Sequence, residues 1–226
     1  MATLYIVATP IGNLQDITFR ALETLRGVDT VACEDTRHTG KLLKHFEISK
    51  PLLSCRSQNE EQAAVRIIGL LREGRDVAYV SDAGTPGLSD PGARLVQAVR
   101  REGIPVVPIP GPSALTTLIS ASGMTGRSFI FDGFLSPKAG KRQKRLDELL
   151  EREENFVLYE SPHRIVKILA YIAEKEPGRE VFLGRELTKL HEERLYGTAL
   201  ELFEDLNDRK SIKGEIVILV SGKKKS

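Results

Sequence analysis

Three clusters of glycine and proline stand directly after runs of apolar, β-branched residues. They are ATPIGN at residues 8–13, SDAGTPGLSDPG at 81–92 and PGPSA at 110–114. Glycine lets backbone approach a ligand, proline stiffens a loop, and open α/β sheets bind ligands beyond the carboxyl ends of their strands. Each cluster alone fits an ordinary loop between a strand and a helix, with no role in binding. Together, at successive strand ends, they predict a ligand site, and the residues leave its ligand open.

Two clusters of mixed charge also follow predicted strands. CEDTR supplies Glu34, Asp35 and Arg37, and YESPHR supplies Glu160, His163 and Arg164. Carboxylate and imidazole groups can act as general bases, and arginine suits bidentate binding of oxyanions. Structural ion pairs would place the same residue types together. A catalytic role for these clusters is therefore a hypothesis, with a structural salt bridge as its alternative.

A dense run of cations lies in the C-terminal half of the chain. It comprises Lys138, Lys141, Arg142, Lys144 and Arg145. Such a run fits phosphate contacts with RNA, or else a solvated helix face balanced by the acidic residues that follow. Aromatic residues make up only 6% and tryptophan is absent, so we predict recognition by shape rather than on an aromatic platform.

Composition excludes several classes of protein. The chain is 41% hydrophobic and 28% charged, with a net charge of +2, so it is neither disordered nor a histone-like polycation. It contains no GxxxxGK[ST], no GxSxG and no zinc-ligand spacing, and we predict no metal. The first apolar run is too short to span a bilayer. With two cysteines outside any CxxC pair, we expect a cytoplasmic protein.

Apolar runs alternate with amphipathic stretches along the chain. Strands are predicted at 3–9, 29–33, 76–80, 104–109, 156–160, 180–184 and 214–221, and also within PLLSC and SFIFDGFL. Helices are predicted at 16–26, 59–73, 93–101, 141–153 and 165–174, from about 37, and after PGP. This order predicts an α/β fold whose mostly parallel sheet carries helices on both faces. Domains are predicted at 1–119 and 120–226. The lysines at 223–225 are predicted to be either a disordered end or a segment with a weak electrostatic role.

Several of these motifs together resemble the tetrapyrrole methylase superfamily. They are ATPIGNL, CEDTR, SDAGTPGLSDPG, PGPSA, GFL, YESPHR and RELTK, and they occur in this order over nearly the whole chain. Within the superfamily the resemblance is to the 2′-O-ribose methyltransferases that modify a decoding-centre cytidine of small-subunit (16S) ribosomal RNA. It implies two α/β domains, a mostly parallel N-terminal sheet, a mixed C-terminal sheet and S-adenosyl-L-methionine in the interdomain cleft.

The resemblance also implies a homodimer that acts on small-subunit ribosomal RNA or on the assembled subunit. The cofactor-binding residues that it implies are Pro10, Asp82, Ala83, Thr85, Leu88, Ser113, Ala114, Tyr159, Gly214 and Glu215. Two alternatives stay open from the sequence. One is a tetrapyrrole methylase acting on a small molecule, and the other is a non-catalytic ribosome-binding protein on the same fold.

Overall fold

The computed structural model describes residues 2–224, which divide into two units, Met1–Ser113 and Ala114–Ser226. The predicted boundary followed residue 119. The structure instead counts the helix at Ala114–Ser122 with the C-terminal unit, because it packs against strands of that unit. Among the described residues, no helix is both long enough and apolar enough to cross a membrane.

The N-terminal unit contains a five-stranded, fully parallel sheet. Its strands are β1 (Leu4–Val7), β2 (Thr30–Cys33), β3 (Leu52–Ser54), β4 (Val77–Val80) and β5 (Val106–Ile109), in the spatial order β3-β2-β4-β1-β5. All four residues of β2 and of β4 are buried, as expected for a parallel strand covered on both faces.

Helices cover both faces of this sheet. They are α1 (Phe19–Gly27), α2 (Thr36–His45), α3 (Glu60–Arg72) and α4 (Ala93–Arg101). The apolar faces of α3 and α4 share one core with Ala32 and Tyr79 of the sheet. Helices α1 and α2 contribute to a second core, on the opposite side, through side chains such as Leu25 and Leu43.

The C-terminal unit begins with α5 (Ala114–Ser122) and contains a mixed sheet in the order β6-β7-β10-β8-β9. Its strands are β6 (Phe129–Phe134), β7 (Asn155–Glu160), β8 (Glu180–Arg185), β9 (Glu193–Thr198) and β10 (Ile216–Val220). The β6–β7 pair is parallel, and the other pairs are antiparallel. Helices α6 (Ala139–Leu150), α7 (Ile165–Lys175) and α8 (Ala199–Asn207) pack on one core of this unit.

The predicted fold class of two α/β units, the first with a parallel sheet and the second with a mixed one, is confirmed. Strand β9 and helix α8 were not predicted. Of the two predictions for the lysine tail, the ion pairs agree with the electrostatic one, because Lys223 pairs with Glu151 at 2.6 Å and Lys224 with Glu180 at 3.5 Å. The third lysine of the tail, Lys225, lies outside the described residues.

Candidate functional site

The loops after β1, β4 and β5 are fastened to each other at the carboxyl edge of the N-terminal sheet. Thr9 and Gly84 exchange two backbone hydrogen bonds, at 2.9 and 3.0 Å. The Thr85 hydroxyl donates to the Pro112 carbonyl oxygen at 3.2 Å. The structure thus gathers the predicted cofactor residues of this unit at one edge; they are Pro10, Asp82, Ala83, Thr85, Leu88 and Ser113.

Two glycines in these loops occupy places where a side chain would not fit. A Cβ at Gly111 would lie 3.0 Å from the Cβ of Ala8, so the loops after β5 and β1 approach each other at backbone distance. Gly92 has φ +124°, and a Cβ there would lie 2.6 Å from the Tyr79 ring. Close backbone packing therefore explains these two glycines, and it holds the loop edge in a defined shape.

Asp82 connects this edge to the first charged cluster. One of its carboxylate oxygens accepts a hydrogen bond from the backbone N–H of Asp35 at 3.0 Å, so the ends of β4 and β2 are joined. The sequence predicted a ligand role for Asp82. The structure shows that this half-buried side chain also organises the loop that carries Glu34.

The two neighbouring carboxylates of the first cluster have opposite electrostatic environments. Asp35 caps α2 and accepts from the backbone N–H and the guanidinium of Arg37, both at 2.8 Å. These hydrogen bonds hold the pKa of Asp35 well below its ordinary value, and the one from the Arg37 side chain has the larger effect. Glu34 is half-buried, and its pKa is raised by desolvation first and then by the negative charges of Asp82 and Asp90.

The second charged cluster lies at the end of β7 in the C-terminal unit and is an ion pair. One oxygen of the buried Glu160 accepts from Arg164 Nε and from the Ser161 backbone N–H, both at 2.6 Å. Arg164 also donates to the Leu135 carbonyl oxygen at 3.3 Å. His163 is exposed and outside this pair. The predicted residues of YESPHR are thus divided into a buried pair and a surface imidazole.

The remaining cofactor candidates all belong to the C-terminal unit. Tyr159 is half-buried on β7, and Ala114 is the first residue of α5. Gly214 and Glu215 directly precede β10, whose Ile216 pairs with Glu160, so both lie near the end of β7. Glu215 is already engaged, because its carboxylate accepts from Lys189 Nζ at 2.9 Å.

The predicted basic run forms the start of α6, and its members are not equivalent. Arg145 is bound bidentately by Asp132, with distances down to 2.6 Å, and it also pairs with Glu148. Arg142 donates to the carbonyl oxygens of Ser136 and Pro137 at 3.2 and 3.0 Å. These two arginines therefore stabilise the unit, whereas Lys138, Lys141 and Lys144 are exposed.

Glu60 is a residue of the site edge that the sequence analysis did not single out. The residue is 6% exposed, and its carboxylate accepts three backbone hydrogen bonds, from Gly92, Arg94 and Leu95, at 3.0, 3.0 and 3.1 Å. It stands in the first turn of α3 and caps the first turn of α4. Glu60 thus anchors the far end of the long glycine-rich loop, a contact across more than thirty residues of sequence.

The described part of the chain shows no group of three or more histidine, cysteine, aspartate or glutamate side chains that could hold a metal ion. The groups that this edge presents are carboxylates, hydroxyls and backbone groups, such as Asp82, Thr85 and the loop amides. Those are groups that bind and orient a polar organic ligand, and Glu34 among them is a carboxylate with a raised pKa that could accept a proton.

Comparison with known proteins gives consistent findings. Residues 3–203 match the family described as Tetrapyrrole (Corrin/Porphyrin) Methylases. The chain is 48% identical to ribosomal RNA small subunit methyltransferase I of Thermotoga maritima, over 99% of this chain and 100% of that protein. It is 47% identical to the protein of that name from Borrelia garinii, over 96% and 98% of the two chains. It is 44% identical to the protein of that name from Bacillus subtilis, over 98% of this chain and 76% of that protein.

Solved structures agree on the fold. The uroporphyrin-III C-methyltransferase of Thermus thermophilus, complexed with S-adenyl homocysteine, superimposes with a TM-score of 0.67 at 19% identity, covering 98% of each chain. The methyltransferase CobJ gives 0.72 at 18% identity, covering 100% of this chain and 98% of that one. At such identities the likeness concerns the fold alone.

We expect Glu60→Ala to speed amide hydrogen exchange at Gly92, Arg94 and Leu95 and to lower the free energy of unfolding by about 1–3 kcal/mol. Three backbone N–H groups, two of them in buried hydrogen bonds, would lose a charged acceptor. Glu60→Gln, which keeps one oxygen acceptor, should lie between. Glu61→Ala is the matched control, since Glu61 is exposed in the same helical turn and should change stability by less than about 0.5 kcal/mol. Equal amide hydrogen exchange in Glu60→Ala and Glu61→Ala would contradict the anchoring role of Glu60.

Proposed function

We propose that this chain methylates small-subunit ribosomal RNA with S-adenosylmethionine as donor. The chain belongs to the tetrapyrrole methylase family and, within it, to the ribosomal RNA small subunit methyltransferase I proteins. The observation that carries this proposal is identity of 44–48% over nearly the whole chain to proteins of that name. We propose further that the acceptor is the ribose 2′-hydroxyl of a decoding-centre cytidine. We expect the enzyme to act as a cytoplasmic homodimer.

The N-terminal loop edge fits this cofactor chemically. When bound, S-adenosylmethionine supplies an electrophilic methyl carbon on a cationic sulfur, and it carries no phosphate. The edge correspondingly offers backbone groups and carboxylates, and the charges of Asp82 and Asp90 are strong enough there to raise the pKa of Glu34 after desolvation. An electronegative edge favours a cationic ligand. Pro10, Ala83, Thr85, Leu88 and Ser113 would line the site, and Asp82 would face its polar groups.

Tyr159, Ala114, Gly214 and Glu215 complete the proposed cofactor set from the C-terminal unit. Glu215 is the weakest candidate of the four, since its carboxylate is already bound to Lys189. The main contribution of all these residues is orientation, because holding two reactants in line contributes up to roughly 7–11 kcal/mol to lowering a barrier.

Glu34 is the carboxylate best suited to take the proton of the acceptor hydroxyl. A general base works best when its pKa lies near the working pH, and burial and neighbouring charges raise the pKa of Glu34. Asp35 is unsuitable, since its hydrogen bonds with Arg37 depress its pKa. Glu160 is buried in its pair with Arg164. Arg37, which is 84% exposed at its side chain, remains able to reach a phosphate, and His163 is a second exposed group that could contact RNA.

The exposed lysines of α6 are the proposed contacts to the RNA backbone. Lys138, Lys141 and Lys144 form no ion pair within the described chain, unlike Arg145. Free cations on one helix can replace the counterions of phosphates. We therefore assign the phosphate contacts to the lysines, and assign Arg142 and Arg145 to holding the helix in place.

The direct test is transfer of tritiated methyl from labelled S-adenosylmethionine. We expect incorporation into small-subunit ribosomal RNA, offered either free or as subunits that lack the modification, and none into a porphyrinoid. Methylation of a 2′-hydroxyl removes the nucleophile of alkaline RNA cleavage, so the label should survive alkali in a resistant dinucleotide containing cytidine. Label in a porphyrinoid would favour a small-molecule methylase. An absence of transfer despite RNA binding would favour a non-catalytic binder.

We expect Glu34→Gln to reduce the single-turnover methylation rate by about a hundredfold, within the 10²–10⁴ typical of a positioned base, while both substrates still bind. In the wild type the rate should rise with pH as Glu34 loses its proton, with a midpoint above the ordinary value of 4.5 because its pKa is raised. This rise of the rate with pH should be absent in Glu34→Gln. Glu160→Gln is the comparison, and it should chiefly destabilise the unit, because Arg164 loses its charged partner.

We expect Lys141→Ala and Lys144→Ala to weaken RNA binding and to leave cofactor affinity unchanged. Each lost phosphate contact should flatten the dependence of log K on log salt by roughly one unit. Lys167→Ala, an exposed lysine on α7, is the control for loss of charge alone. A salt slope equal to that of the wild type would identify the α6 lysines as a solvated face.

A further inference from the structure

An exposed aromatic ring stands at the end of β6, beside the lysine-rich start of α6. Phe134 is 58% exposed, although the next residue, Leu135, is only 4% exposed. The Phe134 ring centroid lies 5.6 Å from that of Tyr159, at an interplanar angle of 65°, and the Phe131 ring contacts Tyr159 at 4.9 Å and 69°. Phe134 is thus the outermost ring of an aromatic cluster, held from below by edge contacts.

The local backbone explains why this ring faces outward. The register of β6 against β7 shifts between Phe131 and Gly133, and a shift of this kind, as in a β-bulge, re-aims the side chains that follow. The residue at the shift, Asp132, is fixed by its bidentate contact with Arg145 of α6. After Phe134, the buried Leu135 side chain holds the backbone in the core. Phe134 is therefore presented on a rigid strand end rather than on a mobile loop.

The lysines lie within a short reach of the ring. Lys138 is four residues after Phe134, which limits their separation to about 14 Å even for extended chain. The connecting turn is tied down, because Arg142 donates to the carbonyl oxygens of Ser136 and Pro137. Lys141 follows on the first turns of α6 and is exposed. One scaffold thus carries both an apolar aromatic face and lysines that have no ion-pair partner among residues 2–224.

From this juxtaposition we propose that Phe134 is a stacking subsite for an unpaired nucleobase of the RNA substrate, with Lys138 and Lys141 holding the adjoining phosphates. Single-stranded RNA is bound by this combination of aromatic stacking and backbone charge. An apolar protein partner would cover the ring but leave the lysines unneutralised, so the charge favours a nucleic acid. The inference rests on the proposed function in that it names how the same RNA is held.

The chain contains no tryptophan, which makes a selective optical test possible. Phe134→Trp places a sole tryptophan at the subsite, and stacking of a base should quench its fluorescence on addition of an unstructured oligoribonucleotide. The same strand annealed to its complement should quench far less. Phe19→Trp is the matched control, because Phe19 is 86% exposed in α1 of the other unit and should not respond.

Phe134→Ala should weaken binding of the single-stranded probe about tenfold, in the range found for loss of one stacked base. Because stacking is not ionic, the salt slope should equal that of the wild type, whereas the lysine variants flatten it. Phe134→Trp should restore affinity, and Phe19→Ala should leave it unchanged. Thermal unfolding and cofactor titration of each variant would show whether the fold is intact.

Three outcomes would overturn the subsite. They are wild-type RNA affinity in Phe134→Ala, unquenched Phe134→Trp fluorescence at saturating RNA, and a Phe134→Ala defect in oligomeric state with RNA affinity unchanged. The last would identify the ring as a contact between copies of the chain. The two proposals fail separately. If RNA quenches Phe134→Trp but the wild type methylates no ribosomal RNA, the subsite stands and the proposed function falls.

Discussion

The paired backbone hydrogen bonds between Thr9 and Gly84 join the end of β1 to the loop after β4, and much of the candidate site depends on them. All strands of the N-terminal sheet are parallel, so their carboxyl ends lie at one edge, and the loops there must be held by each other. The Thr85–Pro112 hydrogen bond adds the loop after β5, and Asp82 adds the end of β2. Glu60 then fixes the remaining end at α4.

The alternation of apolar runs and amphipathic stretches was enough to predict most of the fold. Helix α4 was predicted with its observed bounds, because its buried Leu95 and Val99 recur at helical spacing. Strand β9 was missed because its sequence, ERLYGT, is polar and lies at a sheet edge where burial is incomplete. A local signal for α8 was present, since Thr198 and Glu201 form a capping box.

The site was predictable where its residues act through local backbone and unpredictable where they act through a distant contact. Glycine-rich clusters at strand ends indicated the loop edge directly. In contrast, the role of Glu60 depends on amide groups more than thirty residues away, and its place in the first turn of α3 already has a local explanation in the helix dipole. The division of the basic run is also tertiary, because Arg145 is neutralised by Asp132 on β6.

The near-neutral total charge conceals a separation of roles between charged groups. At the N-terminal sheet edge, desolvation raises the pKa of Glu34, and the negative charges of Asp82 and Asp90 raise it further. On α6, arginines with carboxylate or carbonyl partners hold the helix, and exposed lysines, which form no ion pair in the described part of the chain, face solvent. An exposed lysine can exchange hydration for phosphate at little cost, whereas Arg145, which is half-buried and bidentate, would leave the Asp132 carboxylate without its partner. An RNA contact therefore falls to the lysines, and the aromatic ring that ends β6 adds the apolar component that charge alone cannot supply.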